Sequence, residues 1–129
     1  MQIYKVYTLE NGIVETDNYG DFSELTLHRE DGPAKISYYN NGKVSLEEYW
    51  CNNKKHRLDG PAYINYDRNG IVRYVEYWLF NKKHRLGGPS DIIYNDNNII
   101  IAEAYWINNI CYYKDQYYKE LLKLKVQSL

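Results

Sequence analysis

The feature that most constrains this chain is a self-copy every 28 residues. "HREDGPA" at 28–34 returns as "HRLDGPA" at 56–62 and as "HRLGGPS" at 84–90. Three units, 28–55, 56–83 and 84–111, align without a gap. Residues 1–27 read as a degenerate N-terminal unit, in which "YTLENGIV" resembles the "YDRNGIV" of the second unit. Residues 112–129 break the pattern and form a tail. Repeats of such a length are single supersecondary units that bury their faces only against neighbours. The expectation is one repeat domain over 1–129.

Inside each unit the period is two. Ile36 and Tyr38, Ile64 and Tyr66, and Ile92 and Tyr94 fall on one side of a strand. A turn signal follows, Asn41-Gly42, Asn69-Gly70 and Asn97-Asn98, of the kind that suits the positive φ of a type I′ hairpin. A second strand ends in Tyr-Trp, and a second turn sits at Asn53-Lys54, Asn81-Lys82 and Asn109-Ile110. The fold class predicted is all-β: an antiparallel hairpin-repeat meander of roughly seven to nine strands. In the tail, Tyr113, Tyr117, Leu121 and Leu124 describe one helical stripe, with Asp115 as the candidate N-cap. That predicts a C-terminal helix capping the open end of the sheet.

The motif places His, Arg and Asp within four residues, so chemistry has to be weighed. Equivalent positions of successive units lie two strands apart, roughly 9–10 Å, whereas one zinc needs ligands at about 2 Å. His28, His56 and His84 therefore share no metal, and no metal or other cofactor is expected. A catalytic base works in one convergent site, but each histidine has two relatives in the same strand position. No serine shares a motif with a histidine and an acid, so no catalytic residue is assigned and the chain is read as non-enzymatic. Glu48 and Glu76 are expected to pair with Arg57 and Arg85.

A structural reading explains more of the motif. Pro33, Pro61 and Pro89 suit strand starts. Gly32 and Gly60 permit a tight bend, and Asp31 and Asp59 suit Asx turns. Gly87 replaces the aspartate in the third unit, which predicts a weaker turn there. Together with His28, His56, His84, Trp50, Trp78 and Trp106, these are the structural residues of the repeat.

Composition enters through tyrosine: sixteen, against two phenylalanines. A tyrosine ring buries well while its hydroxyl stays wet, which suits a thin sheet or a recognition surface. Tyr49, Tyr77 and Tyr105 recur before the tryptophans and are the candidate contacts for a partner, flanked by Lys54, Arg57, Lys82 and Arg85. Trp50, Trp78 and Trp106 alternate with them and are expected to form the packed face. The "NKKHR" stretches at 53–57 and 81–85 also suggest a basic edge for nucleic acid. A net charge of −1 gives that no global support. Open sheet edges invite homodimers through edge or face. No apolar run spans a bilayer, the N-terminus lacks a signal-peptide pattern, and two cysteines make no disulfide framework. A cytoplasmic location is expected.

With "HRxDGPA", "YxxNG" and "EYWxxNxK" quoted, the chain resembles a MORN-like repeat protein of the variant found in bacteriophages, large DNA viruses and some bacteria. The resemblance covers about 28–111 and loosely 1–27. It implies a twisted hairpin array serving as a scaffold or binding surface, and it brings no catalytic residues. Its viral flavour adds an alternative: a small inhibitor of a host defence or other host enzyme, acting by sequestration or by blocking a nucleic-acid channel in the host cytoplasm. The partner's identity stays open.

Overall fold

Two kinds of tight turn, alternating along the chain, produce the architecture. The computed structural model describes residues 3–16 and 22–128. The strands are β1 (Ile3–Thr8), β2 (Gly12–Thr16), β3 (Lys35–Tyr38), β4 (Val44–Glu48), β5 (Trp50–Cys51), β6 (Lys54–Lys55) and β7 (Tyr63–Tyr66). They continue as β8 (Val72–Glu76), β9 (Trp78–Leu79), β10 (Lys82–Lys83), β11 (Asp91–Tyr94), β12 (Ile100–Ile107) and β13 (Ile110–Tyr112). One helix, α1 (Lys114–Gln127), ends the chain. Nine strands form one antiparallel sheet in the order β13-β12-β11-β8-β7-β4-β3-β1-β2. The short pairs β5-β6 and β9-β10 extend β4 and β8 as separate ribbons. The chain is thus mostly β, an antiparallel meander with a terminal helix.

The turn types are distributed otherwise than the Asn-Gly signal suggests. At the first turn only Gly42, Gly70 and Asn98 take positive φ, at 83°, 85° and 61°. Each donates its N–H to the residue three before it, Tyr39, Asp67 or Asn95. This is a type I turn followed by one left-handed residue. Asn41, Asp67 and Asn95 brace it by accepting the N–H two residues on, at 2.9–3.0 Å. The type I′ geometry belongs to the second turn, where both central residues have positive φ: Asn52-Asn53, Phe80-Asn81 and Asn108-Asn109.

The two faces also differ from expectation. Ile64 faces Val75 across the ladder and Val75 faces Ile92. These three are buried, and Tyr49, Tyr66, Tyr77 and Tyr94 pack against them. The tyrosine side is therefore the packed side. The opposite side carries Lys35, Glu48, Tyr63, Glu76 and Asp91 in one row, and the three tryptophans stand beside these charges. Alternation places Tyr and Trp on opposite faces, but what covers each face decides which is packed.

At the N-terminus, β1 precedes β2 in sequence yet occupies a second-strand place. The Tyr7 N–H donates to the Ala34 carbonyl, as Tyr49 does to Ala62 and Tyr77 to Ser90. His28 donates its N–H to Tyr7 as His56 does to Tyr49. Tyr7 thus sits where the sequence comparison with Tyr66 does not put it. Residues 1–2 and 17–21 of this N-terminal unit lie outside the described residues.

Helix α1 lies where the tail stripe predicts. Tyr117, Leu121 and Leu124 pack on Tyr105 and Ile107. The N-cap is Tyr113, in extended conformation and without a side-chain cap bond, so Asp115 is not the cap. It lies in the first turn, where its charge still complements the helix dipole.

Candidate functional site

The corner formed by "HRxDGPA" is built from an arginine upward. The Arg57 guanidinium lies 3.9 Å over the Tyr49 ring, Arg85 lies 3.9 Å over Tyr77, and Arg29 lies 3.8 Å over Tyr7. Each then reaches the carbonyl before its strand: Arg29 Nη1 to Pro33 O, Arg57 Nη1 to Pro61 O and Arg85 Nη1 to Pro89 O, at 3.0–3.1 Å. The aspartates serve the arginine, not an Asx turn. Asp31 receives Arg29 Nε at 3.0 Å and Asp59 receives Arg57 Nε at 3.1 Å. That hydrogen bond and the adjacent positive charge hold Asp31 below the usual carboxylate range. The glycine lets the guanidinium lie against the backbone, so any larger residue there would push the arginine aside. A Cβ on Gly60 would sit 2.9 Å from Arg57 Cζ, and one on Gly32 would sit 2.8 Å from Arg29 Cζ.

The histidines join neighbouring units. His28 Nδ1 accepts the Asn52 N–H at 3.0 Å, His56 Nδ1 the Phe80 N–H at 3.1 Å and His84 Nδ1 the Asn108 N–H at 3.0 Å. Each bond restrains the first left-handed residue of a type I′ turn. The second residue closes the junction. Asn81, for example, donates its N–H to the Lys55 carbonyl and accepts the Lys55 N–H on Oδ1. Burial lowers the pKa of His56 and His84, keeping Nδ1 free to accept. Among the described residues, no three His, Cys, Asp or Glu side chains gather as a metal site would require.

The third corner lacks the aspartate, and α1 takes up the slack. The Tyr117 hydroxyl donates to the Arg85 carbonyl at 2.7 Å and receives the Gly88 N–H at 3.3 Å. Its ring lies 4.9 Å from that of Tyr105, over which no arginine lies among the described residues. Tyr117 is 0% exposed and Tyr105 5%.

The candidate contacts therefore divide. Tyr49 and Tyr77 are half-buried beneath Arg57 and Arg85, and Tyr105 is covered by Tyr117 and Tyr118. Lys54 and Lys82 are exposed. Their neighbours Lys55 and Lys83 turn to the opposite face. Lys55 Nζ lies 5.5 Å from the Trp50 ring and 4.9 Å from Trp78; Lys83 Nζ lies 5.5 Å from Trp78 and 5.1 Å from Trp106. Lys55 pairs with Glu48 at 3.5 Å, and Lys83 pairs with Glu76 at 3.4 Å and with Asp91 at 3.1 Å. Glu48 and Glu76 thus serve lysines, not the arginines expected. Burial pushes Glu76 up, but bonds from Tyr74 and Trp78 and the Lys83 charge outweigh it and lower its pKa. Burial of Asp91 wins over Lys83, and its pKa is raised.

Sequence reasoning passed over three exposed apolar residues at the corners. Leu58 is 83% exposed, Phe80 59% and Leu86 45%. Leu58 borders two clefts at once. One, of about 710 Å³, runs past Arg29, Tyr49 and His56. The other, of about 410 Å³, runs past Tyr77, His84 and Leu86. Phe80 stacks on His56 with ring centroids 4.0 Å apart. It holds φ +45°, where the equivalent positions carry asparagine. A bulky side chain there is an outlier costing about 1–3 kcal/mol. The signal in the sequence was departure from the repeat: Leu58 where unit one has Glu30, and Phe80 where the other units have Asn52 and Asn108.

Comparison with family models, curated proteins and solved structures found no match.

Proposed function

We propose that the chain is a non-enzymatic protein-binding module of MORN-like repeat type that captures a partner along its row of corners. The observation that carries this reading is Phe80. An aromatic ring stands exposed in a strained backbone position that the other two units fill with asparagine. Strain at an exposed aromatic side chain points to a purpose outside the fold. Leu58 and Leu86 extend the apolar contact across two successive clefts, and Lys54 and Lys82 add a basic rim. Hydrophobic anchors with a polar rim are the usual anatomy of a protein interface. Tyr49, Tyr77 and Tyr105 then form the floor beneath the partner, not its contact surface.

Sequestration of a host enzyme is one way such a module acts, and the same corners would serve it. Nucleic-acid binding through the "NKKHR" edge has less support. Of its cations, Lys55 and Lys83 are tied to acids on the tryptophan face, and Arg57 and Arg85 are tied to proline carbonyls. Arg57 is also paired with Asp59, so among the described residues Lys54, Lys82 and Arg85 are left without an acid partner, too few for the phosphate neutralisation that drives such binding.

The test is affinity capture from cells of the source with wild type, Phe80→Asn and Leu58→Glu. Asparagine is what the equivalent turns carry, so the fold should survive, as circular dichroism would show. A partner retained by wild type and lost by both variants is the expected result. Identical partners on all three proteins would refute the reading.

A further inference from the structure

Both ends of the sheet are left open. Among the described residues, β2 pairs only with β1, and residues 100–104 of β12 pair only with β11, because β13 covers only Tyr105–Ile107. The interior shows what occupies such an edge. Tyr74–Glu76 of β8 holds Asp91–Ile93 of β11 along its outer side. The same stretch one unit later, Ala102–Ala104, has no strand there. A cleft of about 640 Å³ lies in that place, between residues 100–105 and Cys111–Lys114.

We propose that the occupant is a second copy of this chain, joined head to tail: β2 of one copy pairs antiparallel with the open stretch of β12 of the next. Strand direction permits it. From β12 to β2 the sheet counts eight strands, each antiparallel to its neighbour, so the two end strands run in opposite directions. A copy shifted along the sheet without reversal brings β2 alongside β12 in the antiparallel sense. Each edge also exposes isoleucine, an apolar residue that natural open edges tend to avoid. Ile13 on β2 and Ile99, Ile100 and Ile101 at β12 are exposed. Ile101 takes the place held by Ser45 and Arg73 in the interior units.

Charge selects the head-to-tail arrangement. The described residues up to 27 hold three acids, Glu10, Glu15 and Glu24, against one lysine, Lys5. Residues 112–129 hold four lysines, Lys114, Lys119, Lys123 and Lys125, against two acids. Pairing β12 with β12 would bring two lysine-rich helices to one junction, whereas pairing β12 with β2 brings opposite charges together. The contact is heterologous and does not close, so it predicts growing oligomers rather than a fixed dimer.

Sedimentation velocity of the full chain over a concentration series tests this with two end-blocking variants, Ile13→Lys and Ile101→Lys. Both side chains are more than half exposed, so circular dichroism should match wild type. Glu15→Lys blocks the same end as Ile13→Lys through charge alone. Wild type should sediment faster as concentration rises, and less so in high salt. Each variant alone should stay monomeric. An equimolar mixture of Ile13→Lys and Ile101→Lys should form two-chain complexes and nothing larger, since each supplies the edge the other lacks. Wild type that stays monomeric throughout, Ile13→Lys dimerising alone, or a mixture that stays monomeric would overturn the proposal.

Discussion

The middle and the end of the sheet solve the same problem with different side chains. In the middle, Tyr49 and Tyr77 need cover, and the next unit supplies Arg57 and Arg85. At the end no further unit follows Tyr105, and α1 supplies Tyr117 in the same place. The arginine clamps by reaching a proline carbonyl, and the tyrosine clamps by bonding Arg85 O and Gly88 N. The difference teaches that the slot, not the cation, is what the architecture requires. Where a following corner exists, a guanidinium fits between ring and glycine. Where it does not, a helix lays down a ring.

The largest effect should come from breaking the terminal slot. Tyr117→Ala removes a fully buried ring and leaves the Arg85 carbonyl without its partner, for a loss of about 3–5 kcal/mol in urea denaturation. Tyr117→Phe keeps the ring and should lose only about 1–2 kcal/mol, separating packing from hydroxyl.

Breaking the interior slot should do less. Arg57→Ala forfeits one ring stack, the Pro61 bond and the Asp59 bond, for about 1–3 kcal/mol by the same measurement. Arg85→Ala sharpens the comparison. Arg85 has no aspartate partner, because Gly87 stands in that position, so its loss should fall at the lower end of that range.

Acid should loosen the junctions between units. Burial lowers the pKa of His56 and His84 in the folded chain below the ordinary imidazole value. The unfolded chain then takes up protons first as pH falls. Stability that is full above about pH 6.5 declines below it, because a protonated Nδ1 cannot accept the Phe80 or Asn108 N–H. Urea midpoints between neutral pH and pH 5 should fall for wild type. Replacing both histidines with glutamine should flatten that dependence.

The smallest effect has the opposite sign. Phe80→Asn relieves a bulky residue at positive φ and should raise stability by about 0.5–1 kcal/mol, read from the same midpoints. A loss of that size would mean that the His56 stack outweighs the strain.

Much of the fold was legible. Period-two alternation around recurring turn residues gives the hairpin meander, and the Tyr117–Leu121–Leu124 stripe gives the helix. Three things were not. Asn-Gly marked a turn but not its type, because one left-handed residue and two read alike in sequence. Alternation separated Tyr77 from Trp78 but could not say which side packs; that depends on Ile64, Val75 and Ile92 meeting across three strands. The N-terminal unit hid its order, since Tyr7 matches Tyr49 through a long-range contact to Ala34. For the site, the motif residues were found, but their roles were not. His28, His56 and His84 accept hydrogen bonds from turns 24 residues further on. The exposed Leu58 and Phe80 were legible only as exceptions to the repeat.

A pair of double-mutant cycles tests the shared slot most directly, one on Tyr49 with Arg57 and one on Tyr105 with Tyr117. Both pairs should show coupling of about 1 kcal/mol or more, because in each the second side chain exists to cover the first. Additive losses within about 0.3 kcal/mol at either pair would contradict the account.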